Sequence, residues 1–279
     1  MMLINGKSAT QIDALDRGLC YGDGLFETLA VLDGQPQLWP QHIHRLKTGC
    51  SRLNIVMPAE ELLLQETLAL CRMKGHEESR AVVKITLTRG QSGRGYRGHT
   101  QAACNRIIAR FSWPDYPQHY ASGIKLRWCD TRLGLNPALA GIKHLNRLEQ
   151  VLARNEWSGD DVVEGLMLDQ QGHVIEGTMS NLFIIKEGVL LTAAIDQSGV
   201  AGIIRQLICD DTISHGVPVI IRSLTKEQVI SADEVFVCNS LIGIWPVQAL
   251  LDESGQQNYD IGPISQKIVT ALQSYQQSP

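Results

Sequence analysis

The chain has 279 residues, of which 44% are hydrophobic and 19% charged, and its formal net charge is -4. This length exceeds that of a typical single domain, so we expect one large or two modest domains with a substantial core. The slightly acidic balance gives no electrostatic reason to expect a nucleic-acid or anionic-membrane partner.

The seven cysteines are scattered along the chain, and no two form a Cys-x-x-Cys pair. An odd number with this spacing argues against a disulfide framework and against a zinc site. His42 and His44 offer two metal-binding side chains, but no further cluster completes a shell, so no metal is expected. Without a signal-like N-terminus or an apolar stretch of about 18 residues, we expect a cytoplasmic protein with no membrane span.

The N-terminal part is predicted to combine helices with a strand. Apolar residues at helical spacing predict a helix over 41–53, and a second helix fits 60–73. β-branched residues predict a strand over 80–89. Two prolines then follow an apolar run, which predicts a linker at 114–121. The expected domains are therefore an N-terminal domain over 1–113 and a C-terminal domain over 122–279.

The C-terminal part is predicted to begin with a strand at 123–128 and a helix. Leu145, Leu148, Val151 and Leu152 mark that helix, and Asn146 and Glu149 before and within it have capping-box spacing. Short strands separated by turn residues over 164–185 predict an antiparallel meander. A helix opens at Gly202, and a strand returns at 234–238. Since helices and strands do not alternate regularly, the pattern indicates an α+β fold rather than a doubly wound sheet.

Lys143 is the first residue that could carry chemistry. It lies between Gly141 and the predicted helix, beside the apolar residues Leu139, Ala140 and Ile142. A partly desolvated lysine presents a nucleophilic amine, because burial disfavours the ammonium form. Most lysines are solvated surface charges, however, so spacing alone favours the ordinary interpretation.

Glu176 is the second candidate. It lies inside an apolar strand-like run, where an acidic side chain is disfavoured and needs a partner if buried. A protonated pyridine nitrogen would be such a partner. The alternative is a strand residue that faces water.

Several residues could bind a phosphate. Gly202 and Ile203 stand at a helix start, where backbone N–H groups and the helix dipole favour anions. Asn239 and Ser240 follow a strand, and Arg45 lies on the predicted helix 41–53. The ordinary alternatives are a helix cap, a turn and a surface arginine.

The segment 89–96 contains glycines at 90, 93 and 95. No Gly-Lys-Ser/Thr ending follows, so it is not a nucleotide-binding P-loop. The segment suits a mobile loop whose Arg94 binds a carboxylate substrate, or equally a flexible hairpin tip.

In chain order, Arg45, the Arg94 loop, Lys143, Glu176, Gly202 and Asn239 resemble the fold-type IV pyridoxal-phosphate enzymes. The resemblance extends over nearly the whole chain, from Asp16 onward. Two segments, 89–96 and 136–150, resemble the aminodeoxychorismate lyase branch of this group.

The resemblance implies a smaller N-terminal α/β domain, a larger C-terminal domain with a pseudo-barrel of strands, and a homodimer. It implies elimination of pyruvate from 4-amino-4-deoxychorismate to give 4-aminobenzoate. It also implies roles for individual residues: Lys143 as the catalytic Schiff-base lysine; Glu176 at the pyridine nitrogen; Arg45, Gly202, Ile203, Asn239 and Ser240 at the phosphate; and Arg94, Tyr96 and Thr28 at the substrate.

Two other functions stay open at this point. One is a transaminase acting on D-amino or branched-chain substrates with the same cofactor. Branched-chain aminotransferases have a tyrosine shortly after the lysine, whereas this chain has Asn146-Arg147-Leu148 there. The other is a protein that binds cofactor without catalysis, although the presence of both Lys143 and Glu176 counts against it.

Overall fold

The computed structural model describes residues 1–72, 79–92, 94–98, 104–252 and 255–277, and the chain folds into two compact units. The N-terminal unit comprises Met1–Asp115 together with Ile142–Asn146, and the C-terminal unit comprises Tyr116–Gly141 and Arg147–Pro279. We expected Lys143 in a continuous C-terminal domain. Its segment instead folds with the N-terminal unit.

In the ranges that the structure describes, the N-terminal unit consists of one sheet and three helices. Its six strands lie in the order β2-β1-β6-β5-β3-β4, and every neighbouring pair is antiparallel. The elements are β1 (Met2–Ile4), β2 (Lys7–Ser8), α1 (Arg17–Tyr21), β3 (Gly24–Leu32), β4 (Gln35–Pro36), α2 (Trp39–Leu53), α3 (Glu60–Cys71), β5 (Arg80–Thr88) and β6 (Asn105–Ser112).

Side-chain alternation along β3 and β5 gives this sheet two different faces. On one face the side chains are fully buried, and the apolar stripe of α2, which includes Ile43 and Leu46, is buried as well. The predicted helices over 41–53 and 60–73 are confirmed as α2 and α3. Met73, the predicted end of the second helix, lies outside the described residues.

The C-terminal unit consists of a nine-stranded mixed sheet and four α-helices in the part that the structure describes. A 3-10 helix (Gln118–Ser122) precedes them. The elements are β7 (Ile124–Leu133), α4 (Leu148–Arg154), β8 (Glu164–Asp169), β9 (Val174–Gly177), β10 (Asn181–Lys186), β11 (Val189–Ala193), α5 (Ile203–Cys209), β12 (Val219–Arg222), α6 (Lys226–Ile230), β13 (Glu234–Asn239), β14 (Gly243–Asp252), β15 (Gly255–Asn258) and α7 (Pro263–Gln277).

The larger sheet closes on itself. Its path runs β10-β13-β14-β7-β8-β9, and β9 pairs again with β10 through Glu176 and Asn181. The strands β8, β9 and β10 are the predicted antiparallel meander, which is confirmed. The inward side chains form one apolar core that includes Leu126, Leu182 and Val237. The mixed α+β architecture and the pseudo-barrel expected from the sequence are both present.

Residues expected to form the linker belong largely to the C-terminal unit. Tyr116 and Tyr120 lie edge-on to the ring of Trp245, with centroid distances of 5.0 Å and 5.1 Å. The apolar partner explains why a segment with two prolines is ordered here.

The prediction for the start of α4 was wrong. The helix begins at Leu148, its N-cap is Arg147, and no side chain caps it. Glu149 instead accepts a hydrogen bond from the backbone N–H of Gly134 at 2.8 Å. Two of the apolar residues that predicted this helix are exposed, Leu148 by 69% and Val151 by 51%.

Within the described part of the chain, no helix has the length and apolar composition that a membrane span requires.

Candidate active site

Lys143 is held against the edge of β3 by its backbone. The N–H of Phe26 donates to the carbonyl oxygen of Lys143 at 3.0 Å, and the N–H of Leu145 donates to that of Gly24 at 3.0 Å. This antiparallel bridge centres on Leu25 and His144. The side chains of directly opposed residues point to the same face of a sheet. The side chains of Lys143 and Phe26 therefore lie on the same face. The Lys143 amine indeed lies 4.5 Å from the centroid of the Phe26 ring.

Arg45 belongs to a buried cluster on the opposite face of β3. Its guanidinium donates to both carboxylate oxygens of Glu27, and His42 Nδ1 lies 2.7 Å from Glu27 Oε2. Burial by itself would raise the pKa of Glu27, but the charge and hydrogen bonds of Arg45, with His42, lower that pKa to about 2. Glu27 is therefore ionised at neutral pH.

His42 is the third member of this cluster. Burial lowers its pKa against the opposing effect of Glu27, and the positive charges of Arg45 and Lys143 lower it further. A neutral imidazole follows, with Nδ1–H donating to Glu27. From the sequence, His42 was considered as a metal ligand and no metal was expected, and no role was predicted for Glu27.

The loop that carries Arg94 and Tyr96 is anchored by Arg17. This arginine is 3% exposed, and its Nη1 donates to the carbonyl of Gly95 at 2.9 Å while its Nη2 donates to that of Tyr96 at 2.8 Å. Its Nε donates to Asp23 at 2.8 Å. The side chains of Arg94 and Tyr96 are exposed, so the loop is fixed through its backbone. Gly93 lies outside the described residues.

Glu176 lies in the C-terminal unit, where β9 meets β10. Its side chain is buried, with 4% exposure, and Oε2 accepts the N–H of Val200 at 2.8 Å. The amide of Asn181 lies 3.4 Å from the same oxygen and donates to the carbonyl of Val200 at 2.9 Å. The alternative of a solvated strand residue is therefore excluded.

Glu164 shapes the turn between Glu176 and Asn181. This buried carboxylate accepts hydrogen bonds from the hydroxyls of Thr178 and Ser180 and from backbone N–H groups of the turn. The position of Glu164 at the start of an apolar strand could have indicated a buried acid. Its partners Thr178 and Ser180 are identified only by the fold.

Asn239 is attached to the same turn. Its Nδ2 donates to the carbonyl of Met179 at 3.1 Å, and its Oδ1 accepts the N–H groups of Leu241 and Ile242. These contacts fix the bend after β13 on which Ser240 lies. Asn239 thus orders the backbone of this bend through its side chain.

Gly202 is the N-cap of α5, and Ile203 is its first residue. A Cβ at Gly202 would lie 1.9 Å from Oδ1 of Asn181, so only glycine fits there. Asn181, which sequence reasoning missed, therefore contacts both Glu176 and the start of α5.

The structure brings the sequence-predicted residues together in two groups. Glu176, Gly202, Ile203, Asn239 and Ser240 lie in the C-terminal unit. Lys143, Thr28, Arg45, Arg94 and Tyr96 lie in the N-terminal unit, with Arg45 and Lys143 on opposite faces of β3.

The profile of the family described as amino-transferase class IV matches residues 24–250, which include Lys143, Glu176 and Asn239. The chain belongs to the class IV aminotransferase family. This family depends on pyridoxal phosphate.

Two aminodeoxychorismate lyases are similar to this class IV chain over nearly all of its length. The protein from Vibrio harveyi is 35% identical, and the aligned region covers 96% of this chain and 98% of the Vibrio protein. The crystal structure of 4-amino-4-deoxychorismate lyase from Pseudomonas aeruginosa superposes with a TM-score of 0.90, is 42% identical and covers 98% of each chain. A D-alanine aminotransferase from Listeria monocytogenes is 29% identical over 88% of this chain and 84% of its own.

Proposed function

We propose that this class IV chain is a 4-amino-4-deoxychorismate lyase, which uses pyridoxal phosphate to release pyruvate and form 4-aminobenzoate. The observation that carries the proposal is the similarity to aminodeoxychorismate lyases over almost the entire chain. The separate surroundings of Lys143 and of Glu176 support it, because each side chain has the environment that this chemistry needs.

The residues present fit the cofactor. Lys143 is half-buried beside an aromatic ring, Glu176 is a buried carboxylate, and Gly202 begins α5 in close contact with Asn181, where a Cβ would not fit. In the proposal Lys143 holds the aldehyde, Glu176 the pyridine nitrogen, and Arg45, Ile203 and Ser240 the phosphate. When bound, the cofactor ring withdraws electrons from the substrate carbon next to the amine.

Lys143 then acts as the base. Its Nζ takes the proton from the substrate carbon that bears the amino group, and a positioned base of this kind contributes roughly 10²–10⁴-fold to the rate. The bond between the neighbouring carbon and the enolpyruvyl oxygen breaks as the ring becomes aromatic, and the released enolpyruvate takes up one proton at its methylene carbon to give pyruvate. Because aromatisation supplies much of the driving force, the protein mainly binds, orients and removes one proton.

Glu176 acts by holding a proton on the ring nitrogen. The N–H of Val200 favours the ionised carboxylate, which then attracts a protonated pyridine. Gly202 and Asn239 belong to the proposed phosphate end through the backbone they shape. Arg94, Tyr96 and Thr28 are proposed substrate contacts, with Arg94 placed on a carboxylate.

The test is product analysis. The purified protein with pyridoxal phosphate should convert aminodeoxychorismate into equal amounts of 4-aminobenzoate and pyruvate. A second assay with D-alanine and 2-oxoglutarate should give far slower turnover. The opposite ranking would replace the lyase with a transaminase.

The proposal includes a homodimer. The exposed apolar side chains of α4, namely Leu148, Val151 and Leu152, support a face that a second copy covers. Sedimentation of the wild type and of Val151→Glu tests this, with a dimer expected for the first and dissociation for the second. A cytoplasmic location is also proposed, supported by seven free thiols, and cell fractionation tests it.

A further inference from the structure

The half-buried face of the N-terminal sheet carries a second lysine near Lys143. Strand β3 lies between the Lys143 segment and β5, and Thr28 of β3 is directly opposite Lys84 of β5. Phe26 and Thr28 are two residues apart on β3, so Lys143, Phe26, Thr28 and Lys84 share one face. No role was predicted for Lys84 from the sequence.

The two amines approach the same aromatic ring. Nζ of Lys84 is 4.8 Å from the centroid of Phe26, and Nζ of Lys143 is 4.5 Å from it. The nitrogens are therefore closer together than the sum of these distances. A ring face attracts cations over such distances, so Phe26 keeps both amines beside it.

Lys84 has no carboxylate partner in the described ranges of the chain, where its recorded contact is the Phe26 ring. Arg106, on β6, pairs with Glu66 and projects from the opposite face of the sheet. Asp16 accepts hydrogen bonds from Thr88 at the end of β5. Lys84 is half-buried and lies near the amine of Lys143. An anionic group of a bound ligand would therefore stabilise the positive charge of Lys84.

We propose that Nζ of Lys84 binds a carboxylate of the substrate while the amine end of the substrate lies beside Lys143. The inference deepens the proposed function and rests on it, since that substrate carries an amine at one end and carboxylates away from it. The ligand class is an amino acid-like molecule with a flat ring between its amine and a carboxylate. Thr28 and Thr86 add hydroxyls to this face.

A strand suits this role better than the loop of Arg94. Lys84 lies in the middle of β5, with hydrogen-bonded strands on both sides, so its Cα position is fixed. Sites built on strands are held more precisely than sites on loops. The Phe26 ring, 4.8 Å from Nζ of Lys84, attracts the amine and so favours this direction of the side chain.

The experiment compares the holoenzyme with Lys84→Met, Lys84→Arg and a control, Lys47→Met, in which an exposed lysine of α2 is changed. The dissociation constant of 4-aminobenzoate, the KM for aminodeoxychorismate and the visible absorbance of the cofactor are measured. Loss of a charged hydrogen bond predicts that Lys84→Met raises both constants roughly 10- to 100-fold. Lys84→Arg should retain most of the affinity, and Lys47→Met all of it.

Binding of aniline shows whether Lys84 contributes to affinity through the carboxylate of the ligand or through its ring. It lacks the carboxylate, so wild type and Lys84→Met should bind it equally. Equal affinity of the two proteins for 4-aminobenzoate overturns the proposal, as does a wild type that fails to bind it. Loss of the cofactor absorbance in Lys84→Met would assign Lys84 to the cofactor and would also overturn it.

The same measurements separate this inference from the proposed function. A wild type that releases no pyruvate from aminodeoxychorismate refutes the lyase. If its binding of 4-aminobenzoate still depends on Lys84, the carboxylate site stands independently of the reaction.

Discussion

Arg45 donates one hydrogen bond to each carboxylate oxygen of Glu27, from Nε to Oε1 at 2.9 Å and from Nη2 to Oε2 at 2.5 Å. The Glu27 side chain is 1% exposed and that of Arg45 is 11% exposed. The two hydrogen bonds fix the direction of the Arg45 guanidinium, as its proposed phosphate contact would require. Glu27 therefore holds Arg45 in place.

Glu27→Gln should destabilise the protein by about 3–5 kcal/mol, because it leaves the buried Arg45 charge without its partner. Urea unfolding at pH 7, followed by circular dichroism, measures this. Asp161→Asn is the matched control, since Asp161 pairs with Lys125 at the surface, and it should cost about 1 kcal/mol or less. An equal effect of both changes would contradict the role of Glu27.

The same cluster predicts how stability depends on pH. The folded pKa of Glu27 is about 2 and its ordinary value is 4.5, so the unfolded chain binds the proton first. The ionised Glu27 carboxylate therefore makes its full contribution to the free energy of unfolding above pH 4.5, and this contribution is lost as the pH falls toward 2. The difference in unfolding free energy between wild type and Glu27→Gln should shrink over that range.

As the pH is lowered, His42 should affect the stability of the protein at a higher pH than Glu27 does. Burial lowers its folded pKa below the ordinary value of 6.5, so the unfolded chain gains a proton that the folded chain does not. Stability should fall as the pH drops below 6.5, and His42→Gln should remove part of this slope. Melting temperatures at closely spaced pH values measure it, and an unchanged slope would show that His42 is not responsible.

Lys143→Ala should abolish lyase turnover and the visible absorbance of the bound cofactor, because both depend on one amine. Loss of the base alone accounts for roughly 10²–10⁴-fold. Borohydride reduction of the wild type followed by peptide mapping should place the added mass on Lys143. A tag on Lys84 instead would exchange the roles of the two lysines.

Glu176→Gln should retain cofactor but lower kcat by roughly 10- to 100-fold, the equivalent of one charged hydrogen bond. The amide can accept the N–H of Val200 yet cannot balance a positive ring nitrogen. Cofactor absorbance and kcat are measured together. An unchanged kcat would remove Glu176 from the ring nitrogen.

Arg17→Lys should loosen the loop that carries Arg94 while keeping a positive charge beside Asp23. A lysine cannot reach Gly95, Tyr96 and Asp23 together, as the arginine fork does. Hydrogen exchange followed by mass spectrometry should show faster exchange of the amides around 94–98. Arg97→Lys, at an exposed position of the same loop, is the control, and equal exchange in both variants would refute the anchoring role.

Local patterns in the sequence were sufficient for several features. The apolar spacing of α2, the β-branched run of β5 and the strand–turn–strand meander around Glu176 depend on neighbouring residues, so their periods are readable in the chain. Lys143 and Glu176 were predicted as site residues from their local context and from family resemblance, and the structure shows that Glu176 is buried. The start of α4 was misplaced because Asn146 and Glu149 have capping-box spacing, whereas in the fold Glu149 binds the distant backbone N–H of Gly134.

The tertiary structure decided which distant residues meet. Arg17 and Gly95 are 78 residues apart and Arg45 and Glu27 are 18 apart, and neither pairing leaves a periodic trace in the sequence. Lys143 joins β3 through backbone hydrogen bonds, which carry no side-chain signature at all. Strand register places Lys84 beside Phe26, and a shift of one residue would turn it to the other face. Such contacts follow from the register and packing of the whole sheet, which no short segment specifies.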